Sequence, residues 1–251
     1  MEILAASPPA APRASARGRD RVFFCTMALV MAFTVLVGFG PTYYYRFFSI
    51  QAPIATISGG PFTFLLHLHG LLFTGWVVLF AVQTTLIARR RVKLHQRLGI
   101  GGAILAAAMV FIGTSTAITG ARVGAGPPGV DPLAFLAIPL GDMVLFSIFV
   151  GSALILRRKK ESHKRLMLLA YISILTAAVA RWPGVLPLGP MAFYAFTFLF
   201  LAAAIAYDLT TRRRVHRTYV WGGTLLLLSV PVRLVLSGTA AWRAFAEFLV
   251  N

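Results

Sequence analysis

Cysteine and acidic residues are scarce in this sequence, and each scarcity excludes a class of protein. The single cysteine, Cys25, lies in an apolar run, so an intrachain disulfide and a CxxC-type metal site are excluded. Only 12% of the residues are charged, against about 25% in an average soluble domain. Seven acidic residues face 24 basic ones, which gives a formal net charge of +17. This composition does not fit a soluble globule, a disulfide scaffold or a disordered tail protein.

Long apolar runs take the place of the missing charge, since 58% of the residues are hydrophobic. A bilayer core about 30 Å thick needs about 20 apolar residues of helix to cross it. Seven runs approach that length, at residues 22–44, 62–88, 98–120, 132–156, 163–181, 190–207 and 219–236. Because only helices satisfy their own backbone across lipid, the sequence predicts an all-α integral membrane bundle of seven transmembrane helices.

The basic residues are concentrated in four blocks. If the chain crosses the membrane seven times, all four blocks lie on the same side. Nineteen of the 24 lie within residues 1–21, 89–97, 157–165 and 212–217. The positive-inside rule then predicts a cytoplasmic N-terminus and a C-terminus outside. Nucleic-acid binding needs a soluble basic face, so it is not expected. The expected partners are the bilayer itself and anionic phospholipid headgroups on the cytoplasmic face.

This topology divides the chain into three parts. Residues 1–21, rich in Ala, Pro, Ser and Arg, are predicted to be a disordered basic cytoplasmic tail. Residues 22–236 form the predicted seven-span domain. Residues 237–251 form a short outer tail, in which Trp242, Phe245 and Leu249 favour a helix at the membrane interface.

Three of the four basic blocks contain a histidine just before an apolar run, which suggests three repeated helical hairpins after the first span. The first candidate site therefore lies at the cytoplasmic face and comprises His95, His163, His216, Asp208, Arg97 and Arg165. An anionic partner fits this pattern, and so does haem with its propionates beside the basic residues. A simple interfacial role for these side chains fits it too. The surrounding positive charge argues against a divalent metal ion.

A second candidate site consists of ionisable residues in the outer half of the spans, where charge is costly and often functional. These residues are His67 in span two, Asp142 in span four, Arg181 in span five and Arg233 in span seven. Asp142 is expected to pair with one arginine, which leaves one positive charge for an anionic group or a quinone carbonyl. His67 is the candidate proton donor or ligand. The alternative is a structural ion pair that only fixes helix packing.

The stretch HLHGLLFTGWVVLFAVQTTLIARRRVKLHQRLGIGG, from His67 to Gly102, contains a His-x-Arg-Leu-Gly motif at the start of a span. With HKRLMLLA at His163 and YDLTTRRRVH ending at His216, it resembles a pattern in uncharacterised bacterial multi-pass membrane proteins. The resemblance implies a bacterial inner-membrane location and no particular reaction.

Three functions fit these observations. The first is binding or transport of a small or amphipathic ligand in the outer-half pocket. The second is a membrane redox component that binds haem or quinone, with His95, His163 or His67 as ligands. The third is a structural or assembly subunit whose polar residues only pack helices. The sequence has no phosphate-binding glycine loop and no nucleophile elbow, so whether the protein is an enzyme stays open.

Overall fold

A computed structural model describes residues 13–48, 62–127 and 129–251, and within these ranges no strand is present. The helices in these ranges are α1 (Arg13–Phe39), α2 (Phe64–Ala88), α3 (Val92–Arg122), α4 (Pro132–Phe135), α5 (Ala137–Ile155), α6 (Lys160–Val179), α7 (Pro190–Arg212), α8 (Arg217–Ser237) and α9 (Ala240–Val250). Short 3-10 turns precede α2 and α7, at Tyr44–Phe47 and Leu186–Leu188. The predicted helical fold class is therefore confirmed.

Six helical segments are long and apolar enough to cross a membrane. They are Gly18–Phe39, Phe64–Ala88, Val92–Arg122, Pro132–Ile155, Pro190–Arg212 and Arg217–Ser237, the fourth of which joins α4 to α5. Helix α6 is not among them, because Lys160, Glu161, Lys164 and Arg165 near its start lower its mean hydropathy. The described chain is thus a multi-pass helical membrane protein, with six such segments where the sequence predicts seven spans.

Helix α6 lies at the centre of the bundle. Twelve of its 20 residues are buried, and it packs against α1, α5, α7 and α8. Leu166, Leu169 and Ile172 are completely buried, as the interior of close-packed helices requires. A helix enclosed by other helices meets little lipid, so protein groups must satisfy its polar side chains.

The outer helices show the opposite pattern and expose apolar side chains. Leu71 and Val78 of α2, Ile104 and Phe111 of α3, and Val235 of α8 are more than half exposed. Lipid rather than water is the solvent that makes such exposure favourable. The distribution of apolar residues therefore agrees with a bundle that is surrounded by a bilayer.

Local side-chain signals set several helix ends. Thr63 and Thr239 cap the starts of α2 and α9, since each hydroxyl accepts a backbone N–H of the first turn. His216 caps α8 in the same way, with Nδ1 accepting the N–H of Thr218 at 3.2 Å. Helix α7 ends where Arg213 adopts a left-handed conformation, with φ of 57°.

The two termini of the chain are both helical where the structure describes them. Helix α1 begins at Arg13, so residues 13–21 of the tail that the sequence predicts to be disordered lie in a helix. Residues 1–12 of that tail lie outside the described residues. Helix α9 folds back onto α3 and α4, with Trp242 Nε1 donating to the carbonyl of Leu133 at 2.8 Å. Its opposite face exposes Phe245 and Phe248, as an interfacial helix requires.

Candidate functional site

A buried ion pair joins α6 to α7 at the end of the bundle that carries the basic blocks, which we call the inner end. Arg165 donates to both carboxylate oxygens of Asp208, and both side chains are completely buried. Arg165 also donates to Glu161 Oε2 at 2.8 Å. Asp208 Oδ2 accepts the backbone N–H of His216 at 3.1 Å, which attaches the start of α8. Buried charges persist only when they are paired and hydrogen-bonded in this way.

Asp20 extends this inner network to α1. It accepts hydrogen bonds from Lys164 Nζ and from the Tyr207 hydroxyl, each at 2.6 Å, and from Arg212 at 2.8 Å. Three carboxylates thus face three cations: Asp20, Glu161 and Asp208 against Lys164, Arg165 and Arg212. Because its cations are neutralised within the protein, the inner network holds four helices together and offers no net charge to an external anion.

Two titratable groups of the inner network lie outside the apolar segments and have shifted pKa values. Burial raises the pKa of Glu161, but hydrogen bonds from Arg165 and Lys164 outweigh it and lower that pKa to about 2. Burial and the charge of Arg165 lower the pKa of His216. At neutral pH Glu161 is therefore charged and His216 is neutral, which matches the role of His216 Nδ1 as an acceptor.

His95 and His163 lie side by side at the inner end, with ring centroids 6.3 Å apart and planes inclined by 81°. Nδ1 of His163 lies 2.9 Å from the carbonyl oxygen of Ala153. The Gln83 side-chain nitrogen donates to Nδ1 of His95 at 2.6 Å, and its oxygen accepts the backbone N–H of Gly99 at 3.1 Å. The inner candidate residues therefore separate into a histidine pair and the ionic network.

The remaining inner candidates have different surroundings. His216 is separate from the histidine pair and caps α8, as described above. Arg97 is exposed on the second turn of α3, whereas Arg165 is enclosed in the inner network. The six predicted inner residues therefore do not come together in a single site.

Among the residues that the sequence predicts to lie in the outer half, Asp142 of α5 pairs with Arg233 of α8. Arg233 Nη1 lies 2.5 Å from Asp142 Oδ1, and it also donates to the carbonyl of Ile138 at 3.0 Å. Arg233 Nη2 donates to the Ser229 hydroxyl at 3.0 Å. Gly141 makes room for this arginine, because a Cβ there would collide with the Arg233 side chain. The pair is buried, and each guanidinium nitrogen of Arg233 donates a hydrogen bond, so the pair fixes α5 against α8.

Arg181, just beyond the outer end of α6, has different neighbours. It forms no ion pair with any residue that the structure describes. Its guanidinium donates to the carbonyl of Ala177 at 2.6 Å and lies 4.6 Å from the centroid of the Phe39 ring. A cation without a counter-ion in apolar surroundings is costly, and such residues mark functional sites.

The charge of Arg181 acts on His69, two residues after the predicted His67. The His69 ring stacks on Phe73 with centroids 4.1 Å apart, and its buried Nδ1 has no hydrogen-bond partner among the described residues. His67 instead lies against the ring of Tyr43, with centroids 6.1 Å apart. The four predicted outer residues are thus divided between the Asp142–Arg233 pair, His67 beside Tyr43, and Arg181 beside His69.

A sequence signal for His69 exists in the spacing of aromatic residues on α2. His69, Phe73, Trp76 and Phe80 recur at intervals of four, three and four, which is the period of one helix face. Trp76 and Phe80 are buried, so this face points into the bundle. Two further polar atoms in this interior, Trp76 Nε1 and the Tyr171 hydroxyl, also lack a partner among the described residues. The face of α2 that bears His69 therefore borders an interior in which several buried polar atoms lack a hydrogen-bond partner among the described residues.

Comparisons of this chain with protein-family models, with curated proteins and with solved structures find no match. The geometry of Arg181, His69 and the histidine pair is therefore the basis on which function is interpreted.

Proposed function

We propose that this protein binds an amphipathic anion in the outer half of a seven-helix membrane bundle, with the head group between Arg181 and His69. Arg181 is the observation that carries this proposal. Each of the buried arginines Arg165 and Arg233 has its own aspartate, whereas Arg181 has no carboxylate among the described residues. An incoming carboxylate or similar anion supplies the missing counter-charge and accepts hydrogen bonds from both side chains.

The surroundings of Arg181 favour a ligand with an apolar tail over a small inorganic ion. Phe39 lies under the guanidinium, and Phe73 stacks on His69. Binding sites for organic ligands combine such apolar walls with a few polar groups that fix orientation. A fatty acid, or a lipid with one anionic head group, has this combination of charge and hydrocarbon.

We take α6 as the additional span that completes seven. The predicted run at residues 163–181 reaches about 28 Å as a helix, which is close to the thickness of a bilayer core. With seven spans the basic blocks share one side, so we place the N-terminus in the cytoplasm and the C-terminus outside. The proposed location is the bacterial inner membrane. Exposed basic residues such as Arg89, Arg158 and Arg213 then face anionic phospholipid headgroups.

Thermal unfolding of the purified protein with oleate tests the proposal, with oleyl alcohol as the uncharged probe of the same chain length. We expect oleate to raise the Tm of the wild type and oleyl alcohol to have little effect. Arg181→Gln removes charge-assisted hydrogen bonds, so it should weaken oleate binding about tenfold or more. Because Arg181 has no counter-ion to strand, this variant should unfold at nearly the wild-type temperature without oleate.

Arg122→Gln provides the matched control, because Arg122 is an exposed arginine in the last turn of α3. This variant should keep the full response to oleate. An oleate response of equal size in Arg181→Gln and in the wild type overturns the proposal. A wild type that responds equally to oleate and to oleyl alcohol overturns it as well.

A further inference from the structure

A cavity lies at the end of the bundle opposite the inner end, where α4 meets the turn between α8 and α9; we call it the outer cavity. It is lined by Asp131, by residues 133–134 and 237–240, and by Trp242 and Arg243. Its volume of about 450 Å³ is typical of a site for a small molecule. We infer that the outer cavity binds the head group of a phospholipid that carries a primary amine, which is phosphatidylethanolamine.

One wall of the outer cavity carries Asp131, which forms no ion pair with any residue that the structure describes. The other five acidic residues in the described ranges all pair with cations, and they are Asp20, Asp142, Glu161, Asp208 and Glu247. Oδ1 of Asp131 accepts the backbone N–H of Leu133 at 3.3 Å, and Oδ2 has no partner within the described part of the chain. The cavity therefore offers a carboxylate oxygen to a cation from outside the protein.

Arg243, on the α9 side of the outer cavity, supplies the opposite charge. Its Nε donates to Glu247 Oε1 at 3.1 Å, and its two Nη atoms have no hydrogen-bond partner among the residues that the structure describes. A guanidinium with two available nitrogens matches the oxygens of a phosphate group. One cavity with a carboxylate and a guanidinium on its walls thus fits a zwitterion, with the amine at Asp131 and the phosphate at Arg243.

The chemistry of these walls selects among phospholipid head groups. A primary ammonium has three N–H groups that can donate to a carboxylate. The quaternary ammonium of choline has none and is recognised instead by cages of aromatic rings, whereas Trp242 is the only aromatic residue among the described residues that line the cavity. A head group without an amine, such as that of phosphatidylglycerol, brings a negative charge and leaves Asp131 without a cation.

The surroundings of the outer cavity favour a lipid over a soluble amine. Helix α9 exposes Phe245 and Phe248, as a helix at a membrane interface does. The last turns of α8, which lead to Ser237 on the cavity wall, expose Val232 and Val235. The acyl chains of a phospholipid can therefore lie against these apolar side chains while its head group occupies the cavity.

Native mass spectrometry of the full chain in detergent tests this inference, with the dioleoyl forms of phosphatidylethanolamine, phosphatidylcholine and phosphatidylglycerol as probes. We expect phosphatidylethanolamine to bind about tenfold more tightly than the other two, because only its amine donates charge-assisted hydrogen bonds to Asp131. Asp131→Asn should lose this preference but keep α4 in place, since asparagine caps a helix as well as aspartate does. Arg243→Gln should weaken the binding of phosphatidylethanolamine about tenfold.

Glu247→Gln is the matched control, because it removes the same charge at a residue that does not line the cavity. This variant should keep the preference for phosphatidylethanolamine. Equal binding of phosphatidylethanolamine and phosphatidylcholine by the wild type overturns the inference, and so does a preference that persists unchanged in Asp131→Asn. Soluble phosphoethanolamine that displaces the lipid as effectively as phosphatidylethanolamine itself overturns it in favour of a soluble amine. None of these outcomes bears on oleate binding at Arg181.

Discussion

At the scale of single residues, three arginines near or within the apolar helices differ in what neutralises them. Arg165 and Arg233 are each held by an aspartate on a neighbouring helix. Arg181 is held by a backbone carbonyl and an aromatic ring. Breaking a buried pair strands a charge, whereas removing an unpaired cation relieves one. Substitution of Arg165 or Arg233 is therefore expected to lower stability, whereas substitution of Arg181 is expected to affect ligand binding.

Asp142→Asn tests the structural interpretation of the outer ion pair. Loss of this carboxylate leaves Arg233 charged and nearly buried, so the free energy of unfolding should fall by about 3 kcal/mol. Denaturation of the purified protein measures this change, and the oleate response should persist. The double variant Asp142→Asn with Arg233→Gln should recover part of the loss, because no charge is then stranded. A variant of wild-type stability that has lost the oleate response would instead place Asp142 in the ligand site.

The pH dependence of stability follows from Glu161 and His216. The pKa of Glu161 is about 2 in the folded protein against an ordinary value of 4.5, so its contribution is complete above pH 4.5. That contribution is lost as the pH falls from 4.5 towards 2. The lowered pKa of His216 acts in the same direction, because below its ordinary value of 6.5 the unfolded chain binds a proton more readily.

Both groups therefore predict that the unfolding temperature falls as the solution is acidified from pH 7. Thermal unfolding at a series of pH values checks this expectation. Glu161→Gln should flatten the part of the curve between pH 4.5 and 2, while leaving the part near pH 6.5 in place. A steeper decline in Glu161→Gln than in the wild type contradicts the assignment.

At the scale of elements, α6 is held in place by polar contacts at its inner end and by apolar packing along its middle. The first turns contain Glu161, Lys164 and Arg165, which connect to α1 and α7 through the inner network. Further along, Leu169 and Ile172 are completely buried. The inner network therefore fixes the register of α6 against its neighbours, while apolar packing supplies most of the burial.

Arg165→Leu tests how much the inner network contributes to this arrangement. It leaves Asp208 buried without its main partner, so the free energy of unfolding should fall by about 4 kcal/mol. The double variant Arg165→Leu with Asp208→Leu removes both charges and should be much closer to the wild type in stability. Denaturation of the three proteins measures the difference. Equal losses in the single and double variants contradict a paired role for these residues.

The helix positions could be predicted from sequence because hydropathy is summed over many residues, whereas pairing depends on the rotation of each helix. The sequence predicts that Asp142 pairs with one arginine but does not say with which one. Only the packing of the helices selects Arg233 over Arg181 as its partner. His67 and His69 differ by about 200° around α2, so a small error in the inferred face selects the wrong one. The aromatic spacing on α2 contains the information that corrects this choice.

At the scale of the whole molecule, the number of spans decides on which side each site lies. Six segments are long and apolar enough to cross a membrane, and α6 is the candidate for the seventh. With an odd number of spans, the histidine pair faces the cytoplasm and Arg181 lies in the outer half. If α6 does not cross, the block at residues 212–217 lies on the opposite side from the other three.

Reporter fusions test the seven-span arrangement directly. A reporter after Asn251 should be active outside the cytoplasm, and one inserted in the α5–α6 turn, after Arg158, should be active in the cytoplasm. Positive charge near the ends of spans sets this orientation, so neutral substitutions in the Arg157–Lys160 block should weaken it. A cytoplasmic signal from the fusion at Asn251 contradicts seven spans.

The polarity of α6 has a consequence for biogenesis. Arg165 is neutralised by Asp208, but Asp208 lies on α7 and leaves the ribosome only after α6 is complete. A nascent chain that ends between these helices therefore holds Arg165 with Glu161 beside it but without its buried partner. We then expect α6 to be retained next to α5 until α7 has been synthesised, so that the last helices enter the bilayer together. Chains truncated before Asp208 should be recognised as unassembled and degraded, whereas chains that extend into α8 should not be degraded.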